Sequence, residues 1–315
     1  MKREILTRCR WALVVGLAAC ASGVQAVETE QQASTADHSK FEELQQAFAS
    51  GPEVTKACLG CHTEAAKQIH KTTHWTWEFN HPDSGQRLGK KFVVNSFCGS
   101  ITSNYARCTS CHIGYGWKDG NFDLSSEENV DCLTCHDTTG TYVKFPTGAG
   151  HPPYQDKKFG GKLIKAPDLS HVAQHVGKTS RATCGSCHFN AGGGNAVKHG
   201  DLDETLLFPS ARIDIHMGRH DMLCVDCHRT EQHRISGRAM SVSVDRENFV
   251  ECTDCHQHKP HVGARLNAHT ERLACQSCHV PHMGVDTGTK LSWDWSEAGQ
   301  DLDITDGHQY LKIKG

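Results

Sequence analysis

The chain has 315 residues, which is enough for one large domain or two small ones. Its net charge is −3, so there is no electrostatic reason to expect a nucleic acid as partner. Hydrophobic residues make up only 37% of the chain, a figure that includes its 17 Cys, and 23 His are also present. We therefore expect bound cofactors to fill much of the interior that apolar side chains fill in other proteins.

The N-terminus has the pattern of an export signal over residues 1–26. Four basic residues, Lys2, Arg3, Arg8 and Arg10, precede a short apolar run at 11–19, and residues 24–26 fit a small-residue cleavage site. Residues 17–20 offer an alternative in which Cys20 is lipidated. Either route predicts a periplasmic protein, held at a membrane only if Cys20 carries lipid. No later segment has the run of about 18 apolar residues that a membrane span needs.

Residues 27–50 are rich in Glu, Gln, Ala and Ser. This composition predicts a loose leader, or a short helix around 41–48, outside the functional core. The functional domain is accordingly expected at residues 51–315.

One cluster, C-x-x-C-H, occurs seven times after residue 50. The copies are Cys58-Cys61-His62, Cys108-Cys111-His112, Cys132-Cys135-His136, Cys184-Cys187-His188, Cys224-Cys227-His228, Cys252-Cys255-His256 and Cys275-Cys278-His279. This cluster is typical of a c-type haem site, in which two thiols form thioethers to the porphyrin and the histidine binds the iron. Zinc knuckles or disulfides would not require a histidine after every second cysteine. The sequence therefore predicts seven covalently attached haem c groups.

The spacing of the seven copies is irregular, which argues against a solenoid with a fixed repeat. Strand-like alternation between them is sparse. We expect a mainly α and irregular fold, with little sheet, wrapped around a closely packed haem array.

The histidines outnumber the haem sites. Of 23 His, seven belong to the motifs, which leaves sixteen others. Bis-histidine ligation explains such a surplus and gives six-coordinate irons suited to electron transfer. A surface or hydrogen-bonding role is the alternative for any one of them.

The chain resembles the octahaem tetrathionate reductase family of c-type cytochromes, which is related to hydroxylamine oxidoreductase and multihaem nitrite reductases. The resemblance covers about residues 55 to 312. The stretches that carry it are THWTWE (73–78), NSFCGS (95–100), RCTSCHIGYGWKDG (107–120), VGKTSRATCGSCHF (176–189), VKHGDLD (197–203), DIHMG (214–218), HRISGRA (233–239) and LSWDWSEAGQD (291–301).

The resemblance implies six distal histidine ligands. They are His74, His199, His216, His233, His261 and His269, with His70, His220, His258 and His282 as substitutes. The haem that lacks a histidine partner is expected at Cys108, Cys111 and His112.

Lys118 matches the family's lysine ligand at that haem, six residues after His112. An ammonium cannot bind iron, so Lys118 would have to lose its proton, which burial and ferric charge favour. The alternative is a solvated loop lysine. Asp119 is a further candidate proton donor. Cys98 is left over if cleavage follows residue 26, because fifteen cysteines then remain for fourteen thioethers, and its thiol is either reactive or simply buried.

The chain departs from the family in carrying seven motifs instead of eight on a shorter sequence. Its last residues alternate like a strand, which predicts a truncated form without the eighth haem.

The function expected from the resemblance is reduction of a small substrate such as tetrathionate, nitrite or hydroxylamine. A quinol-linked donor or a soluble cytochrome would supply the electrons, and self-association is left open. The alternatives are a pure electron conduit whose haems are all six-coordinate, or a zinc-rich scaffold.

Overall fold

The computed structural model describes residues 36–92, 94–95, 99–191, 195, 202–238, 248–280, 282 and 285–286. These residues fall within one unit that begins at Ser34. None of the described helices has the length and apolar character needed to cross a membrane.

Short helices form most of the regular structure. The α-helices among the described residues are α1 Gly51–Leu59, α2 Ala65–Ile69, α3 Thr73–Thr76, α4 Tyr105–Cys108, α5 Leu133–His136, α6 Leu169–Gln174, α7 Arg181–His188, α8 Ile215–His220, α9 Cys224–Cys227, α10 Ala264–Thr270 and α11 Gln276–His279. Turns of 3-10 helix lie at His38–Lys40, Glu42–Leu44, Lys90–Phe92, Ile101–Ser103, Thr109–Cys111, Glu204–Leu206 and Cys252–Asp254. Helices this short are marginal in water by themselves and depend on packing.

The sheet content of the described residues is four antiparallel hairpins of two strands each. They pair β1 Phe79–Asn80 with β2 Arg87–Leu88, β3 Val94–Asn95 with β4 Gly99–Ser100, β5 Lys157–Phe159 with β6 Lys162–Ile164, and β7 Thr230–Glu231 with β8 Arg234–Ile235. The predicted fold class, mainly α and irregular with little sheet, is confirmed.

The first apolar cluster joins the start of the described chain to α1, α5 and α6. Leu44, Val54, Leu133, Leu169 and Val172 are buried within it. Part of the segment predicted as a loose leader therefore contributes to the core. Residues 38–44 form two 3-10 turns in place of the single helix expected at 41–48.

Aromatic side chains dominate the interior around the second motif. Trp75 packs with Ile113 and Val130, while Trp77 packs with Trp117 in an adjoining cluster. Trp75 is also tied down by its Nε1, which donates to the Leu124 carbonyl at 2.9 Å. These two clusters form the surroundings of His112.

Gly150 holds the loop that follows His112 in place by a close backbone approach. Its φ is +92°, and a Cβ there would lie 1.9 Å from the Gly114 carbonyl oxygen. Only glycine meets both conditions. The neighbouring Ala149 carbonyl accepts from the backbone N–H groups of Gly116 and Trp117, which fixes the loop that carries Lys118.

Candidate haem-binding sites

Most of the motifs form one helical turn. The histidine N–H donates to the carbonyl of the first cysteine in five of them, at 2.9 Å for His62, 3.1 Å for His136, 2.8 Å for His228, 2.9 Å for His256 and 2.9 Å for His279. Residues three and four apart share one face of such a turn. No disulfide joins the two cysteines of any described motif. Both thiols and the imidazole are thus grouped as haem attachment requires.

The second motif has a different backbone. Helix α4 ends at Cys108, a 3-10 turn covers Thr109–Cys111, and the His112 N–H donates to the Thr109 carbonyl at 2.9 Å. His112 itself is extended, with φ −70° and ψ 143°. This motif is the first sign that its haem site differs from the others.

Five motif histidines face a second histidine ring. The distances between ring centroids are 6.3 Å for His62 and His38, 6.2 Å for His188 and His74, 6.4 Å for His136 and His233, 6.0 Å for His256 and His216, and 5.9 Å for His279 and His261.

These distances fit the presence of an iron between the rings. A metal–imidazole bond of about 2.0–2.1 Å, added to the offset from nitrogen to ring centre, places two imidazoles on one metal roughly 6.2–6.4 Å apart. The residues present therefore fit bis-histidine haem.

Four of the facing histidines belong to the predicted distal set: His74, His216, His233 and His261. His199 lies outside the described residues. His269 lies on α10, and no ring contact joins it to a motif histidine within the described part of the chain.

The substitutes are placed elsewhere. His70 stacks on Trp75 with centroids 4.7 Å apart. His220, His258 and His282 have no ring contact with a motif histidine among the residues that the structure describes.

The ring nitrogens of the motif and facing histidines are arranged for metal binding. The Nδ1 of His136 lies 2.8 Å from the Gly177 carbonyl, that of His228 lies 2.8 Å from the Ser236 carbonyl, and that of His233 lies 2.8 Å from Gln68 Oε1. A bond at Nδ1 leaves Nε2 available to a metal.

Burial keeps His74 in the neutral form that binds metals. It lowers the pKa of His74 to about 4, and charge on His188 and His228 adds to the effect. In three other histidines, His38, His112 and His261, a buried Nδ1 has no hydrogen-bond partner.

His112 faces aromatic rings. It is fully buried, and the rings of Trp75, Trp77 and Trp117 lie 4.8–5.2 Å from it. Its Nε2 is 2.7 Å from the Trp75 carbonyl oxygen. Burial lowers the pKa of His112 to about 3, so this imidazole is neutral. No histidine ring faces it among the described residues.

The residues predicted to act beside His112 lie on the loop that follows it. The Lys118 side chain is exposed, and its backbone N–H donates to the Gly116 carbonyl at 2.8 Å. Asp119 Oδ1 accepts from the Asn121 N–H at 2.8 Å. Cys98 lies outside the described residues. The loop is anchored by the buried Trp117 next to Lys118.

A buried polar cluster on the backbone side of His112 was missed by sequence reasoning. Lys144 Nζ donates to the His112 carbonyl and pairs with Asp131 Oδ2 at 2.9 Å. The hydroxyls of Tyr115 and Tyr142 donate to the Asp131 carboxylate at 2.8 and 2.9 Å. Burial, together with the Asp131 charge, raises the pKa of both tyrosines. The sequence contains no signal for this cluster beyond the position of Asp131 before Cys132.

Thiols of different motifs touch one another. The Cys187 thiol lowers the pKa of Cys111 to about 5 by hydrogen bonding, and the Cys184 thiol lowers that of Cys224 to about 6. The Cys132 thiol has the same effect on the pKa of Cys58. The second motif is therefore close to the fourth, the fourth to the fifth, and the first to the third.

Comparisons with known proteins agree with this geometry. The family model of cytochrome c554 and c-prime matches residues 57–137, which contain the first three motifs. The crystal structure of an octahaem cytochrome c from Shewanella oneidensis is 45% identical with a TM-score of 0.72, and the match covers 86% of this chain and 58% of that one. The chain thus spans less than two thirds of that relative's length.

An uncharacterized protein of Archaeoglobus fulgidus is 25% identical over 274 residues, which are 74% of this chain and 91% of that protein. Together with the motifs and the facing histidines, these matches establish the class of the protein. The chain belongs to the multihaem c-type cytochromes.

Proposed function

We propose that this chain is a periplasmic reductase with seven haems, exported by residues 1–26, or lipidated at Cys20. In this proposal, haems held by paired histidines deliver electrons to the haem at Cys108, Cys111 and His112. The observation that carries it is the contrast between five motif histidines that face a second histidine and His112, which faces indoles. Of the described motif histidines, His228 also lacks a facing ring, and its proposed partner is His199.

Each part of the chain has a separate role in this proposal. The paired imidazoles leave no open position on their irons, so those sites conduct electrons. The tryptophans around His112 exclude water from its ring. The haem there, when bound, supplies electrons to a small oxyanion or hydroxylamine.

Protons come from the polar residues of the adjoining loop. Lys118 Nζ either ligates this iron as the neutral amine or donates a proton to a substrate oxygen, and Asp119 is the next donor along the loop. The Cys98 thiol is proposed to assist when the substrate contains a sulfur–sulfur bond. The electron donor is a soluble cytochrome or a quinol-linked protein.

A second candidate function is an electron conduit without a substrate site. It is favoured by the enclosure of His112, whose Nε2 already meets the Trp75 carbonyl at 2.7 Å, and by the exposed Lys118 side chain. The third alternative, a zinc scaffold, is incompatible with membership of the cytochromes.

Turnover of the Lys118→Ala variant separates the two functions. We expect the wild-type holoprotein to reduce tetrathionate, nitrite or hydroxylamine, and Lys118→Ala to lose roughly 100-fold or more in rate, the size of a general-acid contribution. Lys158→Ala is the matched control. Lys158 is also an exposed lysine, but it lies on β5 and not on the loop that follows His112. Equal rates for wild type and Lys118→Ala would place the chemistry elsewhere. No turnover of any of the three substrates by the wild type would favour the conduit.

A further inference from the structure

The segment 36–48, here called the N-terminal strap, lies against the first haem motif. We propose that His38, on this strap, is the sixth ligand of the haem attached at Cys58, Cys61 and His62. The strap is then part of a haem site and not a leader preceding it. The inference depends only on haem binding at the first motif and is independent of any reductase activity.

The rings of His38 and His62 have the geometry of two imidazoles on one iron. Their centroids are 6.3 Å apart and their planes differ by 22°. The four pairs formed by predicted distal histidines span 5.9–6.4 Å, so the His38 pair is within the same range. The ring is also partly enclosed, since its Nδ1 is buried.

The strap is held firmly enough to position this ring. Asp37 caps the 3-10 turn of His38 by accepting from the Ser39 N–H at 3.2 Å. Leu44 is buried in the core formed with α1 and α6. On α6, the Gln174 side chain donates to the Leu44 carbonyl at 2.7 Å, and the Ser170 hydroxyl donates to the Gln46 carbonyl at 2.7 Å.

The hydrogen bonds to α6 hold the strap at Leu44 and Gln46, and the His38–Lys40 turn also lies against α6. The Phe41 ring also restricts the His38 ring by an edge-to-face contact, with ring centroids 5.5 Å apart.

No other described histidine is equally placed for this iron. Burial lowers the pKa of His233 and charge on His62 adds to the effect, so His233 is a competitor to consider. Its ring, however, faces His136 at 6.4 Å, and its Nδ1 is held by Gln68. His62 and Cys61 are exposed, so without His38 the open side of this haem would meet solvent. Water as sixth ligand would give a high-spin iron in place of a low-spin one.

Electron paramagnetic resonance of the oxidised, full-length holoprotein tests the assignment. We expect His38→Ala to convert one haem per chain from low spin to high spin and to add one carbon monoxide-binding haem after reduction, with the covalent haem count unchanged. His171→Ala is the matched control, because His171 is an exposed histidine of α6 that faces no motif histidine. Its spectrum should equal that of the wild type.

A second variant guards against failure of His38→Ala to mature. His38→Met retains a side chain that can bind iron, and a methionine–histidine haem has a higher reduction potential than a bis-histidine one. We expect one haem to become easier to reduce in His38→Met. Unchanged low-spin signals and potentials in both variants, or in His38→Met alone if His38→Ala does not mature, would overturn the assignment.

Discussion

Asp131→Ala is expected to lower the free energy of unfolding by about 3–5 kcal/mol, because it leaves Lys144 as a buried charge without its carboxylate partner. The side chains of Asp131 and Lys144 are 0% and 9% exposed. Asp131 also accepts from Tyr115, Tyr142 and the Thr134 N–H, so three further donors lose their acceptor. Denaturant unfolding of the holoprotein, followed by far-ultraviolet circular dichroism, measures the loss.

Two matched variants make this prediction specific to the buried pair. Glu64→Ala breaks an exposed ion pair with Lys67 and should cost less than about 1 kcal/mol. The double variant Asp131→Ala with Lys144→Met removes both charges and should be less destabilised than Asp131→Ala alone. If Asp131→Ala unfolded at the same denaturant concentration as Glu64→Ala, the cluster would not stabilise the fold.

His233→Ala should open one conducting haem to external ligands. His233 faces His136 at 6.4 Å, and its loss leaves the iron held at Cys132, Cys135 and His136 without a sixth ligand. We expect one additional high-spin haem per chain and one additional carbon monoxide-binding haem. Electron transfer through the array should slow because that iron must then change its ligands on reduction.

Gln68 allows a graded version of the same experiment. Its Oε1 holds the His233 Nδ1 at 2.8 Å, and loss of such a partner typically weakens a metal–ligand bond about 10–100-fold. Gln68→Leu should therefore give partial ligand loss, seen as carbon monoxide binding that is weaker than in His233→Ala. His258→Ala, at an exposed histidine, is the control. An unchanged spectrum in His233→Ala would mean that another group ligates this haem.

Local motifs were readable from the sequence because covalent attachment needs fixed spacing. C-x-x-C-H groups its two thiols and its imidazole within five residues wherever it occurs, so the attachment residues required no knowledge of the fold. The mainly helical, irregular architecture followed from the sparse strand-like alternation between the motifs. Distal ligands cannot be predicted from local spacing. The rings of His74 and His188 face each other although more than a hundred residues separate them in the sequence. The family resemblance, and not spacing, identified His74, His216, His233 and His261.

The residues that were missed depend on tertiary packing. His38 lies in a segment whose polar composition resembles a leader, and only three apolar side chains, Phe41, Leu44 and Phe48, hint that it packs. Lys144 and Asp131 are charged residues in a loop and before a cysteine, where charges are usually solvated. Their burial results from tertiary packing, in which Tyr115 and Tyr142 contact them. No periodic pattern in the sequence predicts this burial.

The number of covalent haems per chain tests the central claim most directly. Intact mass spectrometry of protein matured in a host that attaches c-type haem, checked by the pyridine haemochrome assay, measures it. The seven C-x-x-C-H motifs predict seven haems, including one at the enclosed His112. Six haems, with Cys108 and Cys111 still reactive to a thiol reagent, would contradict the account.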